Sequence, residues 1–305
     1  MPTSLWKFGG LSAKELGQRV YQRLLGDDVL NRAAALAYYF LLSIFPFLLF
    51  LTSVLGLVLG GRGELYASLM EYLETAMPQA GFVLLENIME EVMDAAGGGK
   101  LAAGLAGALW AGSLGILAIM SGLNSAYRVE DTRPWWRARL LAIGMTVGFA
   151  LFVFLGLGLL LFGGRIGTWL AEQVGLGEAF ATVWRFLHWP LVLFLVLIAL
   201  GLIYRFAPDL EGQRWHWITP GAAIALGLWM LASGGLRIYL NFFDNYSNVY
   251  GSLGALIILM LWFYLTGLAI LVGGEVNSVI ENVAAEHGEP GARRPGQKRP
   301  ELQSA

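Results

Sequence analysis

The chain has 305 residues, of which 57% are hydrophobic and only 14% charged, and its formal net charge is −2. A soluble domain carries roughly a quarter charged residues to keep its surface wet, so a mean hydropathy of +0.62 points to lipid as the solvent for much of this surface. Cysteine is absent, which excludes disulfides, thiolate metal sites and cysteine nucleophiles.

Residues 1–32 are polar or mixed and hold no short apolar stretch ending in a small-residue cleavage site, so no secretory signal is expected. Within them Ser12 and Glu15 have the spacing of a capping box, ahead of Leu16, Val20 and Leu24 on one face. The pattern predicts a helix over 12–25 lying at the membrane interface. Crossing the hydrocarbon core takes about 20 helical residues. The segments that qualify are Ala33–Leu59, Leu101–Leu123, Leu140–Phe162, Phe186–Tyr204, Trp217–Tyr239 and Ser252–Val276. Pro190 suits the first turn of the fourth, and Trp184, Trp189, Trp215 and Trp217 are expected in an aromatic belt at helix ends.

The loop after the first span is acidic, and its pattern predicts two amphipathic helices within about 64–95, broken at Pro78. Their acidic faces suit capping of the bundle better than binding of anionic lipid. From Val283 the tail is rich in Gly, Pro and charge and is expected to be disordered. Most Lys and Arg fall in the N-terminal stretch, the second and fourth loops and the tail, against Arg62, Lys100, Arg165, Arg185 and Arg237 on the other side. The positive-inside rule therefore places both ends in the cytoplasm. The predicted fold class is all-α: a polytopic six-helix transmembrane bundle, N-in/C-in, with amphipathic interfacial helices. Residues 1–32 form its N-terminal interfacial part, 33–282 the transmembrane domain and 283–305 the tail.

Hydrolytic chemistry has little to draw on. His188, His216 and His287 are scattered, and neither an H-E-x-x-H nor a G-x-S-x-G string occurs. No metal, no cofactor and no catalytic residue is expected, and the dispersed basic residues form no stripe for nucleic acid. Small residues recur every fourth position at Gly104, Ala108 and Gly112, at Gly107, Ala111 and Gly115, at Gly144 and Gly148, and at Ala223 and Gly227, which predicts close helix packing. Pro46 lies mid-span, where it cannot donate to the Leu42 carbonyl and should kink the helix, either to line a binding site or simply to pack. No ionisable residue falls near the middle of a span. Glu275 is expected at the inner interface, snorkelling or capping. Candidate cavity residues are therefore uncharged, among them Ser43, Ser113, Ser121, Asn124 and Tyr264. Such an interior suits an amphiphilic, zwitterionic or neutral cargo.

Ala33 to Phe40 followed by Ser43-Ile44-Phe45-Pro46, then Trp110-Ala111-Gly112-Ser113 with Asn124 and Tyr127, and finally Tyr250-Gly251-Ser252-Leu253-Gly254-Ala255 running through Trp262, Tyr264 and Gly274-Glu275, resemble the YihY/BrkB family of bacterial inner-membrane proteins. The resemblance covers residues 15 to 285 and implies a multi-pass inner-membrane location. It also implies that Ser43, Pro46, Tyr250, Gly251, Gly274 and Glu275 carry the family pattern. The family once bore a ribonuclease label, regarded as a misassignment, and has links to virulence and envelope lipid traffic. The expected function is a transporter or flippase-like protein for an amphiphilic or small neutral solute or an envelope lipid. The alternative is an envelope scaffold binding a partner through its external acidic helices, with a ribonuclease the least favoured reading.

Overall fold

The computed structural model describes residues 5–59, 67, 70–71, 99–174, 177–211, 218–242, 252–289 and 292–299. The acidic helices expected around 64–95, apart from isolated positions, and Tyr250 and Gly251 lie outside the described residues. The described chain is all-α. A short 3-10 helix, Leu5–Gly10, precedes α1 (Ala13–Gly26), α2 (Val29–Leu59), α3 (Gly99–Gly112), α4 (Leu114–Ala126), α5 (Trp135–Val174), α6 (Gly177–Phe206), α7 (Pro220–Phe242) and α8 (Ser252–Glu286). Six stretches are long and apolar enough to cross a bilayer: Val29–Leu51, Ala103–Ala126, Trp135–Leu160, Phe186–Phe206, Pro220–Leu240 and Leu256–Glu286. They coincide with the six segments read from the sequence. Large apolar side chains stand exposed on them, Phe186 at 74% and Leu231 at 75%, as a lipid-facing surface requires.

Several helices outrun their apolar segments, because caps and backbone breaks end a helix whereas hydropathy does not. Helix α6 begins at Gly177, so Pro190, Trp184 and Trp189 lie inside it rather than at its first turn or end. Helix α2 begins at Val29, ahead of the expected boundary at 32. At the other end α8 continues through Val283 to Glu286, and the tail expected to be free is held over 292–299 by packing: Arg293 is buried and paired with Glu281 at 2.7 Å.

The chain divides into two compact units, one formed by Met1–Leu41, Leu114–Ala142 and Val196–Ala305, the other by Leu42–Ser113 and Ile143–Leu195. In the first, α7 lies along α8 at very close range. A Cβ on Gly221 would collide with the Gly273 carbonyl oxygen, and one on Gly273 with the Tyr204 hydroxyl and, at 2.5 Å, the Gly221 carbonyl oxygen. Only hydrogen fits at either position. The contact is fixed by polar bonds: the Gly221 N–H donates to Asn277 Oδ1 at 2.9 Å, Asn277 Nδ2 donates to Thr219 Oγ1 at 3.0 Å, and the Tyr204 hydroxyl donates to the Ile270 carbonyl at 2.8 Å.

Helix α1 starts with the expected capping box, Glu15 N–H donating to Ser12 Oγ at 3.3 Å and Ser12 N–H to Glu15 Oε2 at 2.9 Å. Its apolar face is covered by α8 rather than spent on lipid: Leu16 and Val20 are buried against Val276, Val279, Ile280 and Val283. In the second unit Phe47, Phe50, Leu51, Ala108 and Ala150 form the core, with the Phe47 and Phe149 rings 5.6 Å apart. Of the small-residue stripes, a Cβ on Gly112 would meet the Phe47 Cα at 3.3 Å, whereas one on Gly104, Gly107, Gly144, Gly148 or Gly227 would meet open space. Their four-residue spacing was expected to mark close helix packing; among the described glycines the closest contacts fall instead on Gly221 and Gly273, in α7 and α8.

Candidate functional site

In the first unit a polar site forms where α4 ends and α1 turns into α2. Helix α4 stops in a double-bonded turn: Val129 N–H donates to the Asn124 carbonyl at 2.9 Å and Arg128 N–H to the Ser125 carbonyl at 2.8 Å. This is the Schellman arrangement, and Arg128 holds the left-handed position usually given to glycine, at φ 56°. A side chain costs about 1 kcal/mol or more there, and this one is used: its guanidinium grips both oxygens of Asp27, with Nη2 at 2.8 Å from Oδ1. Asp27 ends α1, and its carbonyl accepts from Arg32 Nε at 3.1 Å. One acid thus fixes the α1–α2 corner against the end of α4.

Around this corner opens a crevice of about 430 Å³ lined by Asp27, Asp28, Arg32, Ser125, Arg128 and Glu130. A second space of about 320 Å³ shares Arg32, Ser125 and Val129, and reaches Ser121, Asn124, Leu117 and Met120. Its lining therefore grades from charged side chains at the helix ends to apolar ones inside the candidate span Ala103–Ala126.

Asn124 lines that space, but both ends of its amide are committed, Nδ2 donating to Asp131 Oδ2 at 3.1 Å and Oδ1 accepting the Asp209 N–H at 2.7 Å. It is a brace for the adjoining loops. Asp131 is bonded by Arg133 at 2.7 Å, and Asp209 by Lys298 Nζ at 2.7 Å and by the Thr132 N–H at 2.9 Å. Partial burial pushes both carboxyl groups up, yet their bonds to Arg133, and to Lys298 and Thr132, outweigh it and hold both below the usual carboxylate range. Tyr127, buried, has its phenol pushed far up by loss of solvent, with Glu281 next in effect.

Glu275 departs from the sequence expectation. It is fully buried in α8, and neither carboxylate oxygen accepts a hydrogen bond. A snorkelling or capping carboxylate would reach water or backbone N–H groups; here the glycines beside it let α8 pack so tightly that neither is reached. The nearest cation is Arg23 Nη1 at 3.9 Å, whose own hydrogen bond goes to Ser278 Oγ at 2.9 Å. Burial lowers the pKa of the Arg23 guanidinium, with the charge of Glu275 opposing.

The other sequence candidates are dispersed. Gly274 lies in α8, where a Cβ would meet Leu123 at 2.5 Å and Ala126 at 3.7 Å, so it marks a close α8–α4 approach. Tyr264 lies half-buried in α8. Ser43, Pro46 and Ser113 belong to the second unit; Ser113 is fully buried and donates to the Trp110 carbonyl at 2.7 Å. Ser121, a candidate from the sequence, lines the second space, whereas sequence reasoning missed Arg32, Ser125 and Asn277. The i, i+4 spacing of Ser121 and Ser125 on an apolar helix was the available signal for Ser125. No cluster of His, Asp and Glu able to hold a metal occurs among the described residues.

Six apolar spans, with a charged crevice at the helix ends of one unit, define an integral, multi-pass membrane protein. Its sequence matches a family model described as virulence factor BrkB over residues 20–297, and the chain belongs to that family. The ribonuclease-like protein YfkH of Bacillus subtilis (strain 168) is 34% identical over 263 residues, covering 86% of this chain and 94% of the relative. UPF0761 membrane protein VP0125 of Vibrio parahaemolyticus is 31% identical over 270 residues, covering 85% and 80%. A UPF0761 membrane protein of Xanthomonas oryzae pv. oryzae (strain PXO99A) is 28% identical over 288 residues; the match takes in 91% of this chain but only 63% of that longer relative. No solved structure matches.

Proposed function

We propose that this protein moves an amphiphilic molecule, an envelope lipid or a small neutral solute, across the bacterial inner membrane, with the end formed by α1 and the last turns of α8 facing the cytoplasm. The observation that carries this reading is the graded crevice, which runs from Arg32 and Glu130 at the helix ends to Leu117 and Met120 inside a span. A strongly charged solute has no use for the apolar end and a hydrocarbon none for the charged end, so of these cargoes the lining favours the amphiphilic ones most. The orientation follows from the lysine and arginine bias.

Reconstitution tests the reading. Liposomes holding the purified protein should move a fluorescent phospholipid or a member of a solute panel between leaflets or compartments faster than empty liposomes. Equal rates across the panel would reject transport of those cargoes. The ribonuclease-like name of the Bacillus subtilis relative suggests RNA cleavage as the competing activity. Cleavage by purified protein, lost in a single-residue variant, would replace the transport reading.

A further inference from the structure

Most polar groups at the α1–α2–α4 corner are committed to one another. Arg128 is held by Asp27 on both oxygens, Asp131 by Arg133, and the Asn124 amide by Asp131 and Asp209. A few are not. Arg32 uses Nε on the Asp27 carbonyl, while its two terminal nitrogens have no partner among the described residues. The hydroxyls of Ser121 and Ser125, one helical turn apart on α4, likewise have none, and neither has the carboxylate of Glu130. Arg32 and Ser125 line both parts of the crevice, Ser121 the deeper part and Glu130 the outer part.

From this juxtaposition we propose that the crevice binds the headgroup of a zwitterionic glycerophospholipid of the phosphoethanolamine type. Arg32, Ser121 and Ser125 receive the phosphate, and Glu130 receives the ammonium. The inference rests on the transport reading only in naming its cargo.

The chemistry follows from what is left unspent. A guanidinium and two hydroxyls supply the donor set of a phosphate oxyanion site, and a charged partner makes such hydrogen bonds roughly twice as strong as neutral ones. After the internal pairs are removed, the outer part retains, among the described residues, one uncommitted cation, Arg32, and one carboxylate without any hydrogen bond, Glu130. Asp28, which also has no cation there, accepts from Asn31 Nδ2 at 2.7 Å. A ligand with one charge of each sign matches both. An anionic phospholipid would satisfy Arg32 and leave Glu130 facing added negative charge, in a lining that already carries Asp27 and Asp28. The deeper wall then accounts for the remainder of the molecule: Leu117 lies one helical turn before Ser121 on α4, so a glycerol backbone and the start of an acyl chain pass from the phosphate site onto apolar side chains.

The test is native mass spectrometry of the full-length protein in detergent, titrated with phosphatidylethanolamine and with phosphatidylglycerol of identical acyl chains. The expected result is tighter binding of phosphatidylethanolamine. Arg32→Gln should weaken both lipids at least about tenfold, the loss of one charge-assisted hydrogen bond. Glu130→Gln, at an exposed position, should abolish the preference without abolishing binding. Ser121→Ala with Ser125→Ala should weaken both lipids while keeping the preference. A thermal melt of each variant separates lost binding from lost fold, and Arg32→Lys should restore part of the affinity.

Equal or tighter binding of phosphatidylglycerol by the unaltered protein would overturn the proposal. So would unchanged affinity in a folded Arg32→Gln variant. Soluble glycerophosphoethanolamine and inorganic phosphate should displace the lipid poorly; displacement at lipid-like concentrations would assign the site to a free phosphate compound instead. The lipid preference with no movement in liposomes rejects transport and keeps the site, whereas movement without the preference rejects the site and keeps transport.

Discussion

Replacing Asn277 with Ala removes the bonds that lock the start of α7 onto α8. Its Oδ1 accepts the Gly221 N–H at 2.9 Å, one of the first N–H groups of α7, which has no partner within its own helix. Its Nδ2 donates at 3.0 Å to Thr219 Oγ1, which in turn accepts the Ala222 N–H at 3.1 Å. Gly221 is buried, so water cannot replace the lost acceptor. An orphaned buried donor costs about 1–3 kcal/mol, and the lost bond to Thr219 adds about 0.5–1.5 kcal/mol. The expected destabilisation is therefore roughly 2–4 kcal/mol. Asn277→Asp keeps the acceptor for Gly221 at a helix N-terminus, where negative charge is favoured, and should cost less than Ala. Reversible unfolding in mixed micelles, by titrating a denaturing detergent into a mild one, measures both. Intrinsic fluorescence is a suitable signal because Trp229 and Trp262 bond across the same helix pair, to Thr266 and Ser233 at 3.2 Å each. A value for Asn277→Ala within about 0.5 kcal/mol of the unaltered protein, the scatter of inconsequential surface changes, would refute the reasoning. So would an equal loss from Asp and Ala.

The remaining predictions concern neighbouring features. Gly221→Ala should destabilise by about 1–3 kcal/mol or prevent folding, because its new methyl meets backbone that cannot yield, whereas Gly227→Ala, which meets open space, should be neutral or stabilise by about 0.5–1 kcal/mol in the same micelle assay. Arg23→Ala should cost more than Glu275→Gln, since it leaves a buried carboxylate without its cation; a double-mutant cycle should give a coupling of about 0.5–3 kcal/mol, and strict additivity would show the pair is not coupled. Asp131 and Asp209 have folded-state pKa values below their unfolded ones, so their contribution is present above the unfolded pKa and is lost as pH falls through the folded values. An acid titration of stability should therefore be shallower in Asp209→Asn than in the unaltered protein, and identical slopes would count against the Lys298–Asp209 pair.

What the sequence disclosed was local. The six spans follow from apolar run length, and the capping box at Ser12 and Glu15 from spacing alone. Contacts between distant segments were not legible in this way. Asn277 reads as a polar residue at the end of an apolar run, and nothing near it names Gly221 as its partner, 56 positions away. Small-residue spacing drew attention to Gly104, Gly107 and Gly148, which meet nothing, because the pattern marks where a helix could be approached and leaves open which helix arrives. Glu275 was legible in identity and misread in environment: its height on the helix suggested an interface, but its burial depends on α1 and α4 folding over it. The crevice was visible only in Ser121 and in Asn124, which proves to be a brace, since Arg32 looked like one basic residue among several near the membrane edge.

The seating of α1 on α8 has a consequence for how the protein is made. Arg19 and Glu286 pair at 3.1 Å across 267 positions of chain, so α1 leaves the ribosome long before its partner surface exists. At about 5–20 residues per second, the wait is roughly 10–50 s. Through that interval the face of Leu16 and Val20 has no protein to cover it, and the bilayer interface is the nearest place to shelter it. The lipid-adsorbed helix expected from the sequence thus describes a stage of biogenesis, which ends when α8 is inserted and α1 exchanges lipid for protein. A chain cut short before α8 would keep that face of α1 without its protein cover.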